Sequence, residues 1–281
     1  MEDKQPNFAA STTPEGRVSE TSQTPISVSE DALLYARNLY KSFGGVKAVN
    51  NACLEVPEGS ITGLIGPNGA GKTTLFNLLS NFIRSDRGEI CFDGESLIGL
   101  SPHLVAQRGL IRTFQVAKVL SKLSVLENML LAAPNQTGEV FWKAWFQGRR
   151  VAREEKKLHQ KAGQILASVG LAEKAHDYAG SLSGGQRKLL ELARALMANP
   201  KLILLDEPAA GVNPNLVNQI CQHITRWNRE GMTFLIIEHN MDVVMSLCDR
   251  VWVLADGSNL AVGTPEEIQQ NPEVLQAYLG Q

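Results

Sequence analysis

At 281 residues with 43% hydrophobic content, the chain is long and apolar enough to bury a core, which excludes disorder throughout. A formal net charge of -2 and a sequence pI near 6.2 provide no global field that would attract a polyanion, so nucleic acid is not an expected partner. Apolar runs such as Phe234 to Ile237 are strand length, far short of the ~18 to 20 residues that cross a bilayer, and the chain is not expected to span a membrane.

In chain order, residues 1–31 are rich in Ser, Thr, Pro, Glu and Gln and lack the apolar stretch of a secretion signal, so a disordered tail is expected there. Residues 32–281 then form the folded unit. Leu33 to Lys41 and Val46 to Val56 read as strands joined by a Gly44-Gly45 turn. A strand over Ile61 to Ile65 enters a glycine-rich loop, followed by a helix with Leu75, Leu78, Leu79 and Phe82 on one face.

Between about 115 and 182 strand signals fade and a helical subdomain is expected, with a capping box at Ser124 and Glu127. Arg149 to Lys157 mixes both charges, as a solvated helix face does. Leu202 to Leu205 and Phe234 to Ile237 read as buried strands, separated by a helix with Leu216, Val217, Ile220, Ile224 and Trp227 on its apolar face. Val251 to Leu254 and Leu260 to Val262 flank Asp256-Gly257, a hairpin signal, and Thr264, Pro265 and Glu267 start a helix. This alternation predicts an α/β fold with a mostly parallel sheet. Cys53, Cys91, Cys221 and Cys248 lack the paired spacing of a zinc or redox site, and each reads as a small buried apolar residue.

Gly66-Pro67-Asn68-Gly69-Ala70-Gly71-Lys72-Thr73 fills every fixed position of the Walker A pattern, between a predicted strand and helix. Glycines let the backbone curl so that N–H groups converge on phosphate oxygens, and the following helix presents its positive end to the same charge. Lys72 is expected on the β- and γ-phosphates and Thr73 on Mg²⁺, with Thr74 beside it, so ATP arrives with its metal. The strand Leu202 to Leu205 ends in Asp206-Glu207, at the sheet edge where open α/β folds bind ligands. Two acids after a strand also mark ordinary loop starts. Beside a phosphate loop, Asp206 suits the metal shell and Glu207 the water that attacks the γ-phosphate.

Leu182-Ser183-Gly184-Gly185-Gln186 precedes an apolar helix face of Leu189, Leu190, Ala193 and Leu196. Ser183 with Gln186 is also a capping box, a purely structural reading. Its place after the phosphate loop and before the acid pair is the order seen in ABC transporter ATPases, which the chain resembles over nearly all of residues 33 to 280. The resemblance implies a P-loop NTPase of the ABC type, with an antiparallel β subdomain and the helical subdomain added to the core. It also implies that Ser183, Gly184, Gly185 and Gln186 bind the γ-phosphate held by an opposite subunit, so that hydrolysis needs two ATPase domains. Phe43 would stack on adenine, Gln115 would link metal, water and membrane partner, and His239, leaving the strand before it, would touch the γ-phosphate.

Asn213 stands where many members have aspartate, which keeps hydrogen bonding and loses charge. The run Ala209-Ala210-Gly211-Val212-Asn213-Pro214, with Arg112-Thr113-Phe114-Gln115, Glu238-His239-Asn240-Met241 and Gln276-Ala277-Tyr278-Leu279-Gly280, resembles the ATP-binding proteins of branched-chain amino acid importers. That implies a peripheral subunit at the cytoplasmic face of the inner membrane. Its partners would be a second ATPase subunit in a homodimer or heterodimer, two transmembrane permeases and, indirectly, a solute-binding protein. Lipopolysaccharide-export ATPases share the plan, and soluble ABC ATPases without membrane partners form a third class. His103, His159, His176 and His223 read as structural.

Overall fold

The computed structural model describes residues 28–113, 119–134 and 148–279. Strands β1 (Leu34–Phe43) and β2 (Val46–Val56) form the expected antiparallel hairpin, and β4 (Arg87–Phe92) with β5 (Glu95–Ser96) completes a four-stranded sheet of order β2-β1-β4-β5. Between β3 (Ile61–Ile65) and β4 lies helix α1 (Lys72–Leu79). Its buried Leu75, Phe76, Leu78 and Leu79 pack between this sheet and the central one. Phe82, expected on the same face, falls beyond the end of α1 and is half exposed.

The central sheet adds β6 (Leu110–Arg112), β7 (Leu202–Asp206), β8 (Thr233–Ile237), β9 (Arg250–Ala255) and β10 (Ser258–Gly263), in the order β10-β9-β3-β8-β7-β6. Only β10 runs antiparallel to its neighbour, turned back at Asp256 and Gly257, both at positive φ as a tight hairpin requires. Strands β3, β7 and β8 are buried along their whole length, which explains their unbroken apolar runs.

The remaining helices are α2 (Pro102–Gln107), α3 (Val125–Leu130), α4 (Gly148–Ser168), α5 (Gly184–Met197), α6 (Pro214–Arg229), α7 (Met241–Leu247), α8 (Pro265–Gln270) and α9 (Pro272–Leu279). Helix α3 opens on the Ser124/Glu127 capping box, and α8 on a second one formed by Thr264 and Glu267. Side-chain alternation splits the core by sheet face. Leu202 and Leu204 of β7 point toward α1, whereas Ile203 and Leu205 point toward Leu190 of α5 and Ile220 of α6. Helix α1 and helix α5 therefore lie on opposite faces of the central sheet.

Two expectations need correction. Val28 is buried, the Ser29 N–H donates to Glu55 at 2.6 Å, and Arg37 pairs with Glu30, so residues 28–30 are held against the strands and are not tail. All four cysteines are free and partly buried, and Cys53, Cys221 and Cys248 pack against the core clusters. Residues 1–27, Phe114, Gln115 and Gly280 lie outside the described residues. In the charged run, Ala152, Arg153 and Glu155 to Lys157 are exposed on α4, as expected.

Candidate functional site

The phosphate-binding pattern folds as a loop between β3 and α1, and its curl is set by the backbone. At Gly66, φ is 147°, and a Cβ there would lie 2.0 Å from the Leu254 carbonyl oxygen. Only glycine fits so close an approach. Gly71, at φ 95°, ends the loop as the N-cap of α1 with no side-chain cap bond, so the first N–H groups of α1 receive no cap from its side chain. The β9–β10 turn braces the loop from behind: Gly257 N–H donates to the Ala70 carbonyl at 3.1 Å, and Asn50 N–H donates to the Gly257 carbonyl at 2.8 Å. From α9, Tyr278 reaches Gly66; burial pushes its phenol up, with a backbone bond from Gly66 opposing.

Lys72 folds back over this loop. Its Nζ donates to the carbonyls of Gly66 at 2.7 Å and Pro67 at 2.8 Å. Burial pulls its ammonium below the usual lysine range, and the nearby Glu207 carboxylate opposes that pull. The cation is thus partly desolvated and within the field of Glu207. Thr73 and Thr74 follow in the first turn of α1.

Asp206 ends β7 and is buried. Its Oδ2 accepts from Arg112 Nη2 at 3.0 Å, with side chains 7% and 11% exposed for Arg112 and Asp206. Arg112 Nη1 also donates to Asn77 Oδ1 at 2.6 Å and Ser80 Oγ at 3.3 Å near the end of α1. Arg112 was visible in sequence only as part of a resemblance; its role as the link between β6, α1 and Asp206 has no local signal.

Glu207 takes a left-handed backbone, φ 48°, which a non-glycine residue holds only when its surroundings impose it. Its N–H donates to the Ile237 carbonyl at 3.0 Å, and its Oε1 accepts from His239 Nε2 at 2.8 Å. Glu207 and His239, from neighbouring strand ends, thus form one contact. Glu238, between β8 and His239, binds the loops on both sides and carried no functional reading in the sequence.

The Ser183 turn is built as a capping box: Ser183 Oγ accepts from Gln186 N–H at 3.2 Å, and Gln186 Oε1 accepts from Ser183 N–H at 3.0 Å. Ser183 and Gly184 are nevertheless exposed, at the positive end of α5. Because α5 lies across the sheet from α1, this turn belongs to a different face of the chain from the phosphate loop's helix. Phe43, 48% exposed at the end of β1, has Lys41 Nζ over its ring at 5.5 Å from the centroid. Asn213 caps α6, accepting from Leu216 N–H at 2.9 Å with Pro214 next; as a cap, asparagine serves as well as aspartate.

The donor set fits a hard cation. Asp206, which engages Arg112 through Oδ2, and the Thr73 hydroxyl of α1 both carry oxygen ligands of the kind Mg²⁺ takes.

A family model for ABC transporters matches residues 49–210, and one for the branched-chain amino acid ATP-binding cassette transporter matches residues 258–281. The chain is 42% identical over 248 residues to a probable branched-chain amino acid transport ATP-binding protein, LivG, of Archaeoglobus fulgidus, covering 88% of this chain and 95% of that protein. It is 40% identical over 250 residues to the high-affinity branched-chain amino acid transport ATP-binding protein BraF of Pseudomonas aeruginosa, covering 89% and 98%. Among solved structures, a nucleotide-free ATP-binding cassette from an ABC transporter superimposes with a TM-score of 0.77 at 36% identity, covering 89% of this chain and 99% of that one.

Proposed function

This chain belongs to the ABC transporter family, and from that premise we propose that it is the ATP-hydrolysing subunit of an importer for branched-chain or other small neutral amino acids. The observation that carries the ATPase reading is the convergence of Lys72, Asp206, Glu207 and His239 at one edge of the sheet, with Glu207 held at 2.8 Å by His239. The solute class rests on the named relatives and on the matched carboxyl-terminal segment. Residues 28–279 serve as one ATPase unit, in which α3 and α4 form the helical part.

Residues 66 to 74 cradle the phosphates with backbone N–H groups, and Lys72 exchanges its two carbonyl partners for phosphate oxygens. Thr73, Asp206 and Gln115 would hold Mg²⁺, which would supply Lewis-acid withdrawal of electron density from the phosphoryl oxygens. Glu207 takes the proton of a water whose oxygen attacks the γ-phosphorus; the bond to the bridging oxygen breaks, and ADP leaves with that electron pair. His239 holds the Glu207 carboxylate toward that water and contacts the γ-phosphate. Phe43 stacks on the adenine.

Ser183 to Gln186 act on a partner's nucleotide. The opposite placement of α1 and α5 on the sheet supports this, since a second copy or a related ATPase facing this one brings its Ser183 turn over the loop. Two transmembrane permeases and a solute-binding protein complete the assembly. No helix of the described residues is long and apolar enough to cross a membrane, and peripheral docking at the cytoplasmic face of the membrane accommodates that. Glu207→Gln is expected to retain ATP binding, slow turnover by about 10²- to 10⁴-fold and accumulate a closed dimer on gel filtration. Hydrolysis at the wild-type rate would remove Glu207 from this role.

A further inference from the structure

Glu238 is only 3% exposed, and its carboxylate is met by backbone donors from two separate loops. Oε1 accepts from Ala209 N–H at 2.8 Å, on the loop that leaves β7 after Glu207. Oε2 accepts from His239 N–H at 3.1 Å and Asn240 N–H at 3.4 Å, on the loop that leaves β8. Each loop then runs into a helix it caps: Asn213 caps α6, and Asn240 caps α7.

These contacts close a ring. Glu207 leads through the chain to Ala209, Ala209 is bonded to Glu238, Glu238 is joined to His239, and His239 returns to Glu207 at 2.8 Å. The ring explains how Glu207 is kept at φ 48°, since its backbone is tied at one end to Ile237 and, two residues on, to Glu238.

The chemistry requires a carboxylate. Two oxygens face donors on opposite sides, whereas an amide has one acceptor oxygen and would turn its NH₂ against a backbone N–H on the other. Glutamine, equal in size, must therefore release one loop. A group that merely filled space would tolerate that exchange.

We propose that Glu238 is a positioning residue for hydrolysis: it fixes the Glu207–His239 pair and transmits movement of the His239 loop to the loop of Ala209 to Asn213. Within the ATPase reading on which it rests, the state of the γ-phosphate at His239 is thereby reported to the segment that leads into α6.

The test uses the full chain, comparing wild type, Glu238→Gln, Glu207→Gln and the double variant. Glu238→Gln is expected to lower kcat by at least about tenfold, with KM and the ATP dissociation constant within about twofold of wild type. In the Glu207→Gln background the same change is expected to have no further effect, because it acts through Glu207. An unchanged kcat in Glu238→Gln, or a full additional loss in the double variant, overturns the inference. If Glu238→Gln melts below the assay temperature, Glu238→Asp, which keeps both oxygens on a shorter arm, replaces it with the same expectation of a loss confined to kcat, and unchanged kcat again overturns it. A wild-type chain that hydrolyses no ATP either alone or together with its partner ATPase subunit would instead defeat the ATPase reading itself.

Discussion

Replacing Asp206 by alanine tests whether the Arg112 pair holds the nucleotide-free fold together. The two groups meet at 3.0 Å with side chains 7% and 11% exposed, so water cannot readily substitute for a lost carboxylate. Removing one partner of such a buried pair costs about 3 to 5 kcal/mol. Arg112 also donates to Asn77 and Ser80, which places the loss at the lower end, about 3 kcal/mol. For a domain of this size each kcal/mol moves the melting midpoint by about 2 to 4 °C, giving a drop of about 6 to 12 °C in Asp206→Ala without nucleotide. Arg112→Met removes the cation and fills its volume, and the double variant is expected to recover part of the loss. Differential scanning calorimetry of the three variants decides it. A drop below about 2 °C, or strict additivity in the double variant, would refute the reasoning.

Lys72→Ala is expected to weaken ATP binding by at least about tenfold in a direct titration, since a partly desolvated phosphate loses its only lysine partner in the loop; wild-type affinity would contradict that role. Cys248 is expected to resist alkylation at pH 8. Burial, with Asp249 beside it, pushes its thiol up to about 12, so the neutral form prevails until pH rises toward that value, and labelling should accelerate only there. Rapid labelling of Cys248 in the folded chain at pH 8, read by peptide mass spectrometry, would refute it.

How much of this was legible beforehand depended on the range of the interaction. The phosphate loop, the buried strands β3, β7 and β8, the Asp256-Gly257 turn and the three capping boxes are written in adjacent residues, and each lies where its local signal puts it. Strand β6 covers only Leu110–Arg112, too short for a period to show, and β4 is largely exposed along its first half. Arg112 and Asp206 are separated by 94 residues, and Ala209 and Glu238 by 29, so neither contact leaves a local pattern. Phe82 was misplaced because α1 stops at Leu79, and the spacing continued where the helix did not. Val28 to Glu30 have a disordered composition but pack because Glu55 and Arg37 offer partners for backbone and side chain.

The brace behind the phosphate loop has a thermodynamic reach beyond its own bonds. Since Gly257 anchors Ala70 and is itself anchored by Asn50, the loop is held curled from behind, and less ordering entropy is left to subtract from affinity when nucleotide arrives. Lengthening the turn at Asp256-Gly257 would leave every phosphate-facing residue in place, yet convert the curled loop into one member of an ensemble. Apparent affinity would then scale with the fraction of chains that happen to be curled.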